Sequence, residues 1–69
     1  MKVNDEKRIT IEVNGEKITA TAGMLNTLSI FATEAFKMYE SENLNGAAAD
    51  ARSIGKQIYE KLMAVGYYD

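Results

Sequence analysis

The sequence predicts an α+β fold: an N-terminal antiparallel β-hairpin followed by an antiparallel two-helix hairpin, in the order ββαα. Three observations carry that expectation. Two runs of alternating polarity flank Asn14-Gly15 in RITIEVNGEKITATA. Two longer stretches, GMLNTLSIFATEAFKMYESEN and AAADARSIGKQIYEKLMAVG, carry apolar residues at helical spacing. A break rich in turn formers, ENLNG, separates them. The 69 residues form one domain, with strands over about 8–13 and 16–22, helices over about 23–42 and 46–65, and a tail over 66–69.

The hairpin follows from its turn. Asn-Gly is the preferred pair for a two-residue type I′ turn, because both central positions need positive φ. That turn sets Glu12 against Lys17, Ile11 against Ile18, Thr10 against Thr19 and Ile9 against Ala20. One face then carries Ile9, Ile11, Val13, Ile18 and Ala20. The other carries Arg8, Thr10, Glu12, Lys17, Thr19 and Thr21. A slip of one residue would mix the two faces, so pattern and turn agree. The six residues before Lys7 are expected to be loose, or Val3 to lengthen the first strand.

An isolated hairpin is not stable in water, so its apolar face needs a cover. The helices supply it. In the first, Met24, Leu25, Leu28, Phe31, Ala32, Ala35, Met38 and Tyr39 form the expected core stripe, with Phe36 at its margin and Ile30 on the polar side. Thr21 is the candidate N-cap. In the second, Ala47, Ala51, Ile54, Ile58, Leu62 and Val65 form the stripe, with Asn45 as N-cap and Gly66 as C′ residue. Small residues at Ala47, Ala51 and Gly55, matched by Ala32 and Ala35, predict a close helix–helix approach. That approach would offset the roughly 1 kcal/mol that Gly55 costs inside a helix.

Composition narrows the chemistry. The chain has no histidine, cysteine, proline or tryptophan and a formal net charge of −2. No Ser–His, Cys–His or zinc constellation can be built from it. No glycine-rich loop cradles a phosphate, and ββαα order offers no parallel crossover for a dinucleotide. The reading is therefore of a protein without catalytic residues, metal or cofactor. The basic residues Lys7, Arg8, Lys17, Arg52, Lys56 and Lys61 are interrupted by acidic neighbours, which argues against nucleic acid as a partner and leaves a weak nucleic-acid-binding accessory role as an alternative only. No stretch approaches the length of a membrane span, and MKVNDEKRIT lacks the apolar region of a signal peptide, so a cytoplasmic location is expected.

What remains are apolar residues out of register. Ile30 points away from its stripe, Phe36 and Tyr59 sit at stripe edges, Met63 is off the core direction, and Tyr67 and Tyr68 follow the last helical turn. A small core without disulfide or metal is commonly completed by association. These six residues are accordingly the candidate interface with a second copy or a protein partner. Consecutive tyrosines in an extended segment point opposite ways, so one is expected to plug the core with its hydroxyl in water and the other to face outward. An alternative assigns Arg52, Lys56, Tyr59 and Tyr68 to a small nucleotide held between subunits: a phosphate wants a cation, and a base wants a ring.

The segments ITIEVNGEKIT and ARSIGKQIYEKLMAVGYYD, with the helical body between them, resemble small orphan proteins carried by bacterial phages and prophages. That resemblance implies a protein of the bacterial cytoplasm that works by occupying something. Its target would be a host protein, a defence-system component, or a small signalling nucleotide.

Overall fold

A computed structural model describes residues 3–69. Two strands, β1 (Arg8–Val13) and β2 (Glu16–Thr21), run into two helices, α1 (Ala22–Ser41) and α2 (Asn45–Ala64). The boundaries shift from the sequence reading by one residue: β2 ends and α1 begins one position earlier, and α2 also starts one earlier.

The hairpin has the register that its turn dictates. Ile9 pairs with Ala20, Thr10 with Thr19, Ile11 with Ile18 and Glu12 with Lys17. Asn14 and Gly15 sit at φ of 51° and 83°, the two left-handed positions of a type I′ turn. On the outer face the Thr10 and Thr19 hydroxyls meet at 2.7 Å. On the inner face Ile11, Val13 and Ala20 are buried and Ile9 and Ile18 half-buried. The hairpin tip is fastened to α2 by Gln57. The Asn14 backbone N–H donates to its Oε1 at 3.0 Å, and its Nε2 donates back to Asn14 Oδ1 at 2.9 Å.

Both helix ends are set locally. Thr21 caps α1, its hydroxyl accepting from the Met24 N–H at 3.1 Å. At the far end Asn43 takes φ of 62°. The Asn43 N–H donates to the Glu40 carbonyl and the Leu44 N–H to the Tyr39 carbonyl, a Schellman closure. The same motif ends α2. Gly66 has φ of 84°, its N–H donates to Met63 O at 3.0 Å, and the Tyr67 N–H donates to Leu62 O at 2.9 Å. The start of α2 differs from expectation. Leu44, not Asn45, is the cap residue, and no side chain caps the helix; the Asn43 reversal leaves Asn45 already inside the first turn.

The core joins one end of the helix pair to the sheet. Ala22 and Leu25 of α1, Ile58 and Leu62 of α2 and Tyr67 pack with Ile11, Val13 and Ala20, and Val3 and Ile54 lie against them. Of the six residues expected to be loose, 1 and 2 lie outside the described residues; residues 3–7 are held by hydrogen bonds and join no strand. The Val3 N–H reaches Gly66 O, the Gly23 N–H donates to Asp5 O at 2.8 Å, and the Ala22 N–H donates to Lys7 O at 2.8 Å. Two free N–H groups at the start of α1 are thereby satisfied.

The rotation of α1 differs from the sequence reading. Of its expected core stripe only Leu25 is fully buried; Ala32, Ala35 and Tyr39 are half-buried, and Met24, Leu28, Phe31 and Met38 are exposed. Ala22 and Ser29 take the buried places. The cause lies in α2, whose buried row is Ala48, Ala51 and Gly55. Val65, expected in the core, is exposed, and Ala47 is half-buried. A Cβ added at Gly55 would stand 3.2 Å from the Ala32 Cβ and 3.5 Å from the Ser29 carbonyl oxygen. Helices this close admit only small side chains between them, so α1 presents Ser29 and Ala32 and turns its large residues aside. The Ser29 hydroxyl is not stranded: it donates to Asn26 O at 2.7 Å within the helix. Gly55→Leu is accordingly expected to push the helices apart and lower stability by about 2 kcal/mol, an overpacking cost that better helix propensity only partly offsets. Urea unfolding followed by circular dichroism measures it; an unchanged midpoint would contradict the close contact.

Candidate functional site

On α2, Arg52, Lys56, Tyr59 and Met63 recur at spacings of four, three and four, which places them along one flank. Gln57, which holds the hairpin, lies on the other flank. Facing them on α1 are Asn26, Ile30, Thr33 and Glu34. Between the two rows runs an open groove of about 780 Å³, lined also by Ser29, Phe36, Gly55 and Tyr68. Its floor is the small-residue contact at Gly55. Close backbones leave the longer flanking side chains standing as walls.

One end of the groove is aromatic. The Schellman turn at Gly66 swings the chain back, so Tyr67 enters the core and Tyr68 returns over the groove. The Tyr68 ring lies 5.1 Å from that of Tyr59, tilted by 38°. It also meets Tyr67 edge-on at 5.0 Å. Its hydroxyl donates to Asn26 Oδ1 at 2.6 Å, which ties the tail to α1. The other end is cationic. The Arg52 guanidinium sits 5.7 Å above the Phe36 ring, within cation–π range. Lys56 approaches Glu60 at 3.9 Å, an exposed pair worth little energetically. Two cations, Arg52 and Lys56, thus line the groove against one carboxylate, Glu34.

The candidate residues therefore separate. Ile30, Phe36, Tyr59 and Tyr68 share the groove, and so do all four residues of the alternative set, Arg52, Lys56, Tyr59 and Tyr68. The groove lies within one chain, so the space in question does not need a subunit boundary to exist. Met63 is exposed on the same flank but outside the groove lining. Tyr67 does not belong to an exposed interface: it is 7% exposed and part of the core. Its hydroxyl donates to Asp5 Oδ1 at 2.6 Å. That hydrogen bond raises the Tyr67 pKa above 10.0, with burial and the negative charge of Asp5 acting in the same direction.

Sequence reasoning passed over Asn26, Ser29, Thr33 and Glu34 of the groove lining, and Asn26 is the one that holds the tail. Nothing in a one-dimensional pattern couples it to Tyr68, since the link exists only after both helices and the tail are in place. The Ser29 and Thr33 hydroxyls donate to carbonyls of their own helix, leaving rings, cations and an amide to meet a ligand. Among the described residues no cluster of histidine, cysteine or acidic side chains has a metal-holding arrangement, and no helix is long and apolar enough to cross a membrane.

No protein-family model, curated protein or solved structure matches this chain.

Proposed function

We propose that this is a non-enzymatic binding protein, phage- or prophage-encoded, that acts in the bacterial cytoplasm as a homo-oligomer by binding and modulating a host protein. The observation that supports this reading is the convergence of Ile30, Phe36, Tyr59 and Tyr68 in one open groove with Arg52 and Lys56 on its rim. Apolar grooves between helices accept a partner's amphipathic segment, with large side chains as anchors. Tyrosine and arginine are among the residues that dominate such contacts. The cations suit a segment with acidic residues beside its apolar anchors.

The test is capture from host lysate with the wild-type chain and with Tyr59→Ala and Arg52→Glu as paired controls. A protein retained by the wild type and lost with both variants supports the reading. Each variant is expected to weaken capture at least tenfold, the effect of an ordinary hot-spot truncation. Proteins retained equally by all three chains would overturn it.

A second reading is favoured by one specific feature: Arg52, Lys56, Tyr59 and Tyr68 line the same groove, as a phosphate-bearing ring compound would require. Thermal unfolding with mononucleotides and cyclic dinucleotides separates the two readings. A nucleotide at a hundredfold excess over its Kd is expected to raise Tm by about 10 °C or more, an increase that Arg52→Ala abolishes. That outcome favours sequestration of a small ligand over protein capture; no shift with any nucleotide removes the second reading.

A further inference from the structure

A row of exposed apolar side chains runs along α1, outside the groove. Met24, Leu28, Phe31 and Met38 are 58%, 45%, 64% and 52% exposed. With half-buried Ala35 they recur at intervals of four, three, four and three. That is the spacing of a coiled-coil seam, which a helix keeps when its stripe meets another helix. No charged residue interrupts it. The surface that α1 buries against α2 runs along a different line, through Leu25, Ser29 and Ala32. The seam is therefore left uncovered among the described residues.

From this geometry we infer that α1 pairs antiparallel with α1 of a second copy, about a two-fold axis at Phe31. The inference deepens the homo-oligomer part of the reading above, but it rests on a different surface from the groove.

Three features select a second copy over another occupant. The first is symmetry. Met24 and Met38 stand equally far from Phe31 on either side. A two-fold axis there lays Met24 beside Met38 of the second copy and Phe31 upon Phe31. It sets Leu28 near Ala35 of the second copy, a large side chain over a small one. An isologous interface must be self-complementary in this way. A parallel pair would instead oppose Leu28 with Leu28 and leave a gap between two copies of Ala35.

The second feature is the position of the hairpin. The sheet packs at the end of the helix pair where α1 begins and α2 finishes, through Ala22, Leu25, Ile58 and Leu62. An antiparallel pair puts the two sheets at opposite ends, whereas a parallel pair crowds them together. Antiparallel helices also set opposite dipole ends side by side.

The third is area. Each of the four large side chains leaves roughly 100 Å² in water, so the two seams together offer about 800 Å² of apolar surface. The residues flanking them bring the contact toward the roughly 1,200 Å² at which stable interfaces begin. The small core supplies the motive: among the described residues, only Leu25 and Leu62 are large side chains fully withdrawn from solvent.

Light scattering on a sizing column, with the full chain at several concentrations, is the first test. The wild type is expected to run as a dimer. Phe31→Glu and Leu28→Glu are expected to run as monomers with unchanged helical circular dichroism, their dimer Kd raised at least a hundredfold. Both positions are exposed in the single chain, so a carboxylate there does not enter its core. A wild type that stays monomeric at high concentration overturns the inference, and so do charged variants that remain dimeric.

Single cysteines then read the orientation, since the native chain has none. Under mild oxidation by oxidised glutathione, Phe31→Cys is expected to cross-link to itself. Met24→Cys is expected to cross-link to Met38→Cys in a mixture but not to itself. Efficient self-linking of Met24→Cys would overturn the antiparallel arrangement. Failure of groove variants to lose a captured partner would leave these results untouched, so the two proposals fail separately.

Discussion

A Leu62→Ala variant is expected to be largely unfolded at 25 °C. Leu62 has no solvent exposure and sits in the cluster that joins α2 to the sheet. Its carbonyl also accepts the Tyr67 N–H that closes the helix. Truncating a buried leucine costs about 2–5 kcal/mol, the spread depending on how far the cavity collapses. A core of this size rarely supplies more than about 3–5 kcal/mol in total. One substitution thus removes most of what holds the chain together. Val65→Ala is the control, because Val65 is 42% exposed and its truncation is expected to cost about 0.5 kcal/mol or less. Urea unfolding at one fixed protein concentration compares them, since any association adds stability that depends on concentration. A loss below about 1 kcal/mol at Leu62 would mean that the helix pair does not depend on its contact with the sheet.

The contrast between Leu62 and Val65 marks where the sequence was readable. Both belong to the same apolar stripe of α2, and spacing alone ranks them equally. Gly66 separates them: its reversal brings Tyr67 back over Leu62 and leaves Val65 outside. The hairpin's register was legible to the residue because Asn14-Gly15 fixes its turn locally and a two-residue period then fixes every face. The start of α1 and the end of α2 were legible for a similar reason, as Thr21 and Gly66 act within a few residues of themselves; the reversal at Asn43, which displaces the expected cap at Asn45, was not.

The rotation of α1 was not local. Two apolar lines run along that helix about a third of a turn apart, one through Met24, Leu28, Phe31 and Met38 and one through Leu25, Ser29, Ala32 and Phe36. Summed hydrophobicity selects the first. Close contact with Ala48, Ala51 and Gly55 selects the second, because dispersion and packing reward the backbones that approach most closely. The small row on α2 was visible in the sequence. Its consequence for α1 was not, since it depends on which residues a neighbouring helix will admit. The apolar part of the groove was legible as residues that fitted no core: Ile30, Phe36, Tyr59 and Tyr68. Asn26 was not, because its role is defined by Tyr68, far away in the chain.

The paired tyrosines give the second large effect, and they divide the work between them. Tyr67→Ala is expected to leave the chain unfolded at 25 °C, for it removes the ring that closes the core above Leu62 and the hydroxyl that holds Asp5. Tyr68→Ala is expected to leave it folded, with Tyr59 more exposed and Asn26 without its hydroxyl partner. Deleting Tyr67 to Asp69 should behave like Tyr67→Ala; a stable truncated chain would show that the tail does not complete the core. Tyr67→Phe isolates the hydroxyl. The ring stays, so the variant should fold with a Tm lower by a few degrees. Its pH dependence is the more specific result. The hydrogen bond to Asp5 raises the pKa of Tyr67 in the folded state above its ordinary 10.0. Below that value both folded and unfolded chains hold the proton, and the stabilisation is fully present. As pH rises beyond it the unfolded chain ionises first, folding then requires proton uptake, and the stabilisation is lost through the folded-state pKa. The phenylalanine variant has nothing to lose there. Urea midpoints of wild type and Tyr67→Phe should therefore differ at pH 8 and draw together as the pH rises above 10.0. A gap of the same size throughout would mean that the Tyr67–Asp5 hydrogen bond does not contribute to folding.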